Sequence, residues 1–168
     1  IGNSHYETTV SKSCNGSNLA LKEHDVVNVK VYNNKVQNTA NDGIQVGGAI
    51  SGGEIHHNTV TNFGTAKHQG HMNGFQAGSG TTQAKVYNNF IDTGNGYCYW
   101  DQGGGSTYTN NVAIKGLLGG FSLQDVQGTH ASTGFVVANN TIIDCKELGV
   151  IMYSENPNVT RIVNNIIY

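Results

Sequence analysis

Apolar residues in this chain come in short runs, two or three at a time, separated by small and polar residues. No stretch keeps the three-to-four-residue spacing of an amphipathic helix for long enough to compete with strands. The runs favour Val, Ile, Tyr and Phe, which suit a pleated, half-buried surface. They also recur. Val31-Tyr32-Asn33-Asn34-Lys35-Val36 returns as Ile55-His56-His57-Asn58-Thr59-Val60, Val86-Tyr87-Asn88-Asn89-Phe90-Ile91 and Tyr108-Thr109-Asn110-Asn111-Val112-Ala113. Val137-Ala138-Asn139-Asn140-Thr141-Ile142 and Ile162-Val163-Asn164-Asn165-Ile166-Ile167 continue the series. All six copies have Asn in fourth place, at intervals of 24, 31, 22, 29 and 25 residues.

A second column keeps step with the first: Gly43-Ile44, Gly74-Phe75, Gly96-Tyr97, Gly120-Phe121 and Gly149-Val150, each a glycine followed by a larger apolar residue. Intervals of 22 to 25 residues leave room for two or three short strands and tight corners, but not for a helix as well. Asn and Gly tolerate the left-handed backbone that such corners need. Identical amides stacked at strand spacing can hydrogen-bond up a column. The pattern predicts an all-β chain, a right-handed parallel β-helix of about six coils. Coils rising roughly 4.8 Å each would make a rod of roughly 30 Å. Residues 1–168 read as one domain, with 1–25 an irregular first coil or cap and 26–168 the regular coils. The apolar strand at the chain end and the start at Ile1 suggest further coils or domains of a longer parent chain.

Departures from the basic interval locate two insertions, one within 63–72 and one within 124–130. One enters the strand stack that follows the glycine column and the other leaves it, so they should rise on opposite edges of one sheet and frame a groove. Long loops on a rigid scaffold often carry function. If the apolar column of Ile44, Phe75, Tyr97, Phe121 and Val150 faces inward, alternation puts Gln45, Gln76, Cys98, Ser122 and Ile151 on the groove floor. Trp100, Gln124 and Tyr153 follow one step further out, and Asp101 ends its strand. A one-residue slip would instead bury Trp100 and Cys98 and expose Tyr97 and Tyr99.

Amides that bond hydroxyls, beside an aromatic face that stacks on a pyranose ring, suit a sugar. Gln45, Gln76, Trp100, Lys67 and Asp125 are therefore the candidate substrate-binding residues. His68, His71 and Asp101 are the candidates for proton transfer, since imidazole titrates near neutral pH and paired carboxylates serve hydrolases. Asp125 and Glu155 could complete such a pair. His-x-x-His in the first insertion lacks a third ligand and is interrupted by Gly70, so no metal or other cofactor is expected. Asp42, Asn73 and Asn95 read as a corner ladder, and His56 and His57 as structural.

Composition narrows the partners. Only 12% of residues are charged and the formal net charge is −2, with no basic stripe, which argues against nucleic acid. No apolar run reaches membrane-spanning length. Cys14, Cys98 and Cys145 match no zinc spacing. Buried free thiols are expected, with one disulfide plus one free thiol as the alternative. A Cys98–Cys145 bond is not expected, because strand positions two coils apart lie roughly 9–10 Å from each other.

The Asn-Asn signatures, with 41–47 (Asn-Asp-Gly-Ile-Gln-Val-Gly) and 71–78 (His-Met-Asn-Gly-Phe-Gln-Ala-Gly), resemble secreted right-handed β-helix repeat proteins of the pectate-lyase-like superfamily. The resemblance covers about 26–168. It implies a secreted or cell-surface protein whose partner is a polysaccharide or surface glycan. Polysaccharide lyases, glycoside hydrolases, uronate epimerases and non-catalytic surface proteins share this shape. Its lyases often use Arg or Lys as base with calcium nearby, whereas this chain has one arginine, Arg161, and no acidic cluster for calcium. The expectation is an extracellular β-helix contacting carbohydrate, with polysaccharide processing left open. The alternative is a non-catalytic module of a surface protein, fibre or adhesin.

Overall fold

The computed structural model describes residues 26–47, 49–51, 53–66, 72–78, 81, 83–124, 134–153 and 160–168. Among them every regular element is a strand, and every strand pairing is parallel. Three sheets run along a solenoid. Sheet one stacks Lys30–Tyr32, Glu54–His56, Lys85–Tyr87, Thr107–Thr109, Val136–Ala138 and Arg161–Val163. Sheet two stacks Lys35–Gln37, Thr59–Phe63, Phe90–Gly94, Val112–Gly116, Thr141–Ile143 and Ile166–Ile167. Sheet three stacks Ile44–Val46, Phe75–Ala77, Tyr97–Asp101, Gly119–Gln124 and Val150–Tyr153. The coil count differs slightly from the expected six, because the last coil contributes no described strand to sheet three. Val26–Val27 pairs separately with Ala49–Ser51.

The Asn-Asn signature forms the corner between sheets one and two, and its two asparagines divide the work. The third-place residues Asn33, His57, Asn88, Asn110, Asn139 and Asn164 take left-handed φ values of 54° to 57°. Asn is among the few residues that accept this backbone. The fourth-place asparagines turn inward and form the ladder. Asn34 Nδ2 donates to Asn58 Oδ1 at 3.0 Å, Asn58 to Asn89 at 3.0 Å, and Asn89 to Asn111 at 3.0 Å. Asn111 donates to Asn140 at 3.1 Å, and Asn140 to Asn165 at 3.0 Å. Each acceptor oxygen also takes the backbone N–H of the preceding coil's asparagine. The second amide proton goes to a backbone carbonyl, as from Asn89 to Ile55 O at 2.9 Å. Buried amides cost little when so satisfied.

The interior holds one apolar rung per sheet and coil. On sheet three the inward column is Ile44, Phe75, Tyr99, Phe121 and Val150. The expected Tyr97 is two residues out of register, since it pairs with Gly119. The reason is steric. The corner before this column approaches the inward column of sheet two, which runs Val36, Val60, Ile91, Ala113, Ile142 and Ile167. A side chain at Gly43 would strike Val60, one at Gly74 would strike Ile91, and one at Gly120 would come within 2.7 Å of Ile142. In the third coil that corner position is Cys98, not Gly96, and the sheet-two residue due opposite is the small Ala113. A Cys–Ala pair therefore replaces the Gly–Val or Gly–Ile pair of other coils.

Aromatic rings fill the middle coils. Tyr99 stacks on Phe121 with centroids 4.5 Å apart, and Tyr108 packs edge-on to both at 5.9 and 5.6 Å. Both phenols are buried without penalty. Tyr99 donates to a backbone carbonyl of Asn89 or Val112, each at 3.2 Å, and Tyr108 donates to Asp101 Oδ2 at 2.7 Å.

Candidate functional site

The first insertion separates a sheet-two strand from a sheet-three strand, and the second separates a sheet-three strand from a sheet-one strand. They therefore attach at opposite edges of sheet three, as expected. Lys67, His68, His71, Asp125 and Glu155 lie outside the described residues. The outward row of sheet three between these edges is Gln45, Gln76, Trp100, Ser122 and Ile151. Trp100 thus belongs to the row itself. Cys98, expected on the floor, lies in the corner and is fully buried. The two-residue correction preserves parity along the strand, so Trp100 still faces outward.

The row is not uniformly open. Gln45 and Trp100 are partly exposed, whereas Gln76 and Ser122 are buried. Gln76 Oε1 accepts a bond of 3.1 Å from Asn73 Nδ2. Asn73 is the hub of the neighbouring corner: its N–H donates to Asp42 Oδ1 at 2.7 Å, and its Oδ1 accepts the Tyr97 N–H at 3.1 Å. The expected Asp42–Asn73 ladder is present, but it continues into the Tyr97 backbone. Asn95 bonds elsewhere, to Gly64 O at 3.0 Å. His56 and His57 also lie away from this face, on sheet one and its corner, where His56 stacks between Tyr32 and Tyr87.

Asp101 corrects a further expectation. Its carboxylate is fully buried beneath the face, accepting the Tyr108 hydroxyl at 2.7 Å and the Gly103 N–H at 2.7 Å. Burial pushes its pKa up, and these two bonds partly oppose the rise. A carboxylate held this way organises the strand end and the tight turn at Gly104 and Gly105. Its oxygens lie beneath the surface row rather than on it.

Beside Trp100 the face dips into a shallow pocket of about 160 Å³, lined by Met72, Asn73, Tyr97, Trp100, Leu118 and Gln124. The Trp100 Nε1 is buried and makes no hydrogen bond among the described residues. Gln124 Nε2 donates to Ser122 Oγ at 3.3 Å, which holds the amide along the row. The Tyr97 phenol is raised by partial burial and then by the nearby Tyr153 and Glu147, so it stays protonated as a donor at neutral pH. The pocket thus offers an indole, a phenol and amides around two apolar walls. Its volume is below the roughly 300–1,000 Å³ of drug-sized ligand sites, which suits one unit of a larger molecule lying across the face.

The sequence did not single out Tyr97, Met72 or Leu118 as pocket walls. Gly96 imitates the glycine column, and that places Tyr97 inward in the sequence pattern. Leu118 carries only a weak signal, an apolar pair at a corner where neighbouring coils have polar residues.

A family model for right-handed β-helix regions matches residues 13–168. The chain belongs to that family. No curated protein and no solved structure matches it. Among the described residues of this β-helix, no group of three His, Cys, Asp or Glu could hold a metal ion. Among the same residues no helix is long and apolar enough to cross a membrane.

Proposed function

We propose that this β-helix is a secreted or cell-surface protein that contacts a polysaccharide or surface glycan through the outer face of sheet three. The observation that carries this reading is the Trp100 pocket. It combines a partly exposed indole, apolar walls for the C–H face of a sugar, and amide and phenol groups for its hydroxyls. Gln45 continues the row on one side, and Gln124 and the exposed Tyr153 continue it on the other. A linear glycan laid along the solenoid would meet successive coils at strand spacing.

Polysaccharide processing of the lyase, hydrolase or epimerase type would run through His68 or His71 with a carboxylate such as Asp125 or Glu155. The burial of Asp101 counts against a part for it in proton transfer. The rival reading is a non-catalytic module of a fibre, adhesin or other surface protein. What favours it is the uninterrupted asparagine ladder, which sets coil length and stiffness without reference to any ligand.

The test is a binding and cleavage screen on mixed polysaccharides with the wild-type chain and Trp100→Ala. The variant should bind at least tenfold more weakly, a loss of about 1.4 kcal/mol. Its melting temperature should change little, because the ring is partly exposed. A glycan bound equally by both proteins would remove the pocket from the site. Binding to no glycan would favour the structural module. If a glycan is cleaved and His68→Ala with His71→Ala leaves turnover unchanged, the histidine mechanism is lost.

A further inference from the structure

One corner between sheets one and two departs from the asparagine rule. Its third-place residue is His57, at φ 54°, where the other coils have Asn33, Asn88, Asn110, Asn139 and Asn164. Histidine accepts this backbone, so the exchange changes the side chain and leaves the corner intact. The residue before it, His56, is the second-place residue and points outward from sheet one. The Nδ1 atoms of the two rings lie 2.8 Å apart. The proposed glycan face, on sheet three, uses neither residue.

Both rings are held in place. His56 lies between its register neighbours Tyr32 and Tyr87, with centroids 5.0 and 4.8 Å away and ring planes within 8° and 14° of parallel. His57 stands edge-on to His56 at 87° and to Tyr87 at 83°. The Asn88 side-chain amide, at the same corner position one coil on, is 3.4 Å from His57 Nε2, so Nδ1 is the atom turned to His56. His57 is exposed and His56 partly so.

Two neutral imidazoles make this contact when one Nδ1 carries a proton and the other presents its lone pair. A metal ion takes the proton's place when both Nδ1 atoms present lone pairs. Metal–imidazole bonds are about 2.0–2.1 Å long. Two such bonds to nitrogens 2.8 Å apart subtend about 84–89° at the ion. That is the cis angle of a square-planar or tetragonal ion, the geometry of Cu(II) and Ni(II). A tetrahedral ion such as Zn(II) would need the nitrogens about 3.3–3.4 Å apart. The carboxylate on the same strand, Glu54, is ion-paired with Lys30 at 3.8 Å, and the site is assigned two protein ligands with water in its other positions.

We propose that His56 and His57 form a surface chelate for a divalent transition metal of tetragonal preference, with Cu(II) the strongest binder. Each ring binds through Nδ1 and keeps its one proton on Nε2. The proton that lies between the rings in the metal-free protein moves through solvent to the Nε2 of the ring that carried it, so two neutral rings release none. The Tyr32 and Tyr87 faces hold the His56 ring in position, which limits the side-chain freedom lost on binding.

The experiment titrates the full chain with cupric chloride in a calorimeter and counts the imidazoles on bound Cu(II) by pulsed electron paramagnetic resonance. His68→Ala with His71→Ala is the background, because it removes the other closely spaced histidine pair of the sequence. That background should keep a Cu(II) site with two imidazoles. On it, His57→Asn restores the residue of the other five corners, and His56→Tyr continues Tyr32 and Tyr87. Each should weaken Cu(II) at least about tenfold, since even the loss of an outer partner of a ligand costs that much, and should leave at most one imidazole on the ion. Should one variant fail to fold in metal-free melts, the other and the count on the background protein decide. No Cu(II) bound by the background protein, a single imidazole on it, or unchanged affinity in His57→Asn would each overturn the proposal.

Discussion

Asn89 lies in the middle of the ladder, buried, and is bonded on both sides. It donates to Asn111 and to the Ile55 carbonyl, and it accepts from the Asn58 side chain and backbone. Truncation orphans groups that water cannot reach. Asn89→Ala should cost about 1–3 kcal/mol in denaturant melts, and a neutral result would remove the ladder from the account. Asp101 makes a different prediction, one of pH. Its folded pKa is raised by burial, so its contribution to stability is fully present below the unfolded carboxylate pKa and is lost as pH rises through the folded value. From this residue alone, the melting temperature should climb as pH falls from neutral into the acid range. Asp101→Asn, which cannot titrate, should flatten that slope, and an unchanged slope would mean the carboxyl is not the group responsible. The ladder asparagines were legible in the sequence because their spacing repeats. The burial of Asp101 was not, because it depends on Tyr108, a residue in the signature of the next coil whose reach across the core no spacing encodes.

At the scale of the strand and its corner, the Gly–Ile steps show how register is set. Glycine sits at the corner wherever the facing residue of the adjacent sheet is Val60, Ile91, Ile142 or Ile167, and Cys98 sits there where the facing residue is Ala113. This reciprocity corrects the misreading of Gly96, because the glycine motif is only half of a size-matched pair. The match predicts energetic coupling. Ala113→Ile alone should overpack the corner by about 1–3 kcal/mol. Combined with Cys98→Gly, which restores the pairing of the other coils, most of that cost should disappear in a double-mutant cycle. Additive effects of the two changes would argue that the side chains do not compete for one space. A two-residue difference in register leaves parity along the strand unchanged, so Trp100 faces outward in either register, while Cys98 lies in the corner rather than on the floor.

Across the whole molecule, three parallel sheets wind an apolar and aromatic core inside corners that asparagine and glycine permit. This architecture was readable from periodicity, because every coil repeats the same demands on the same positions. The site was less readable, because a binding face is built from departures from the repeat: Trp100 and Tyr97 on one strand, Leu118 at one corner, and loops attached at two edges of sheet three. Those departures carry the functional claim, and the sequence supplies a reporter for it, since Trp100 is the only tryptophan. Titrating the native chain with a panel of soluble polysaccharides while following tryptophan fluorescence reads the pocket directly. The account predicts a saturable shift or quench of the Trp100 emission with at least one glycan. A glycan that binds with no change in that emission, or a panel in which none binds, would contradict it.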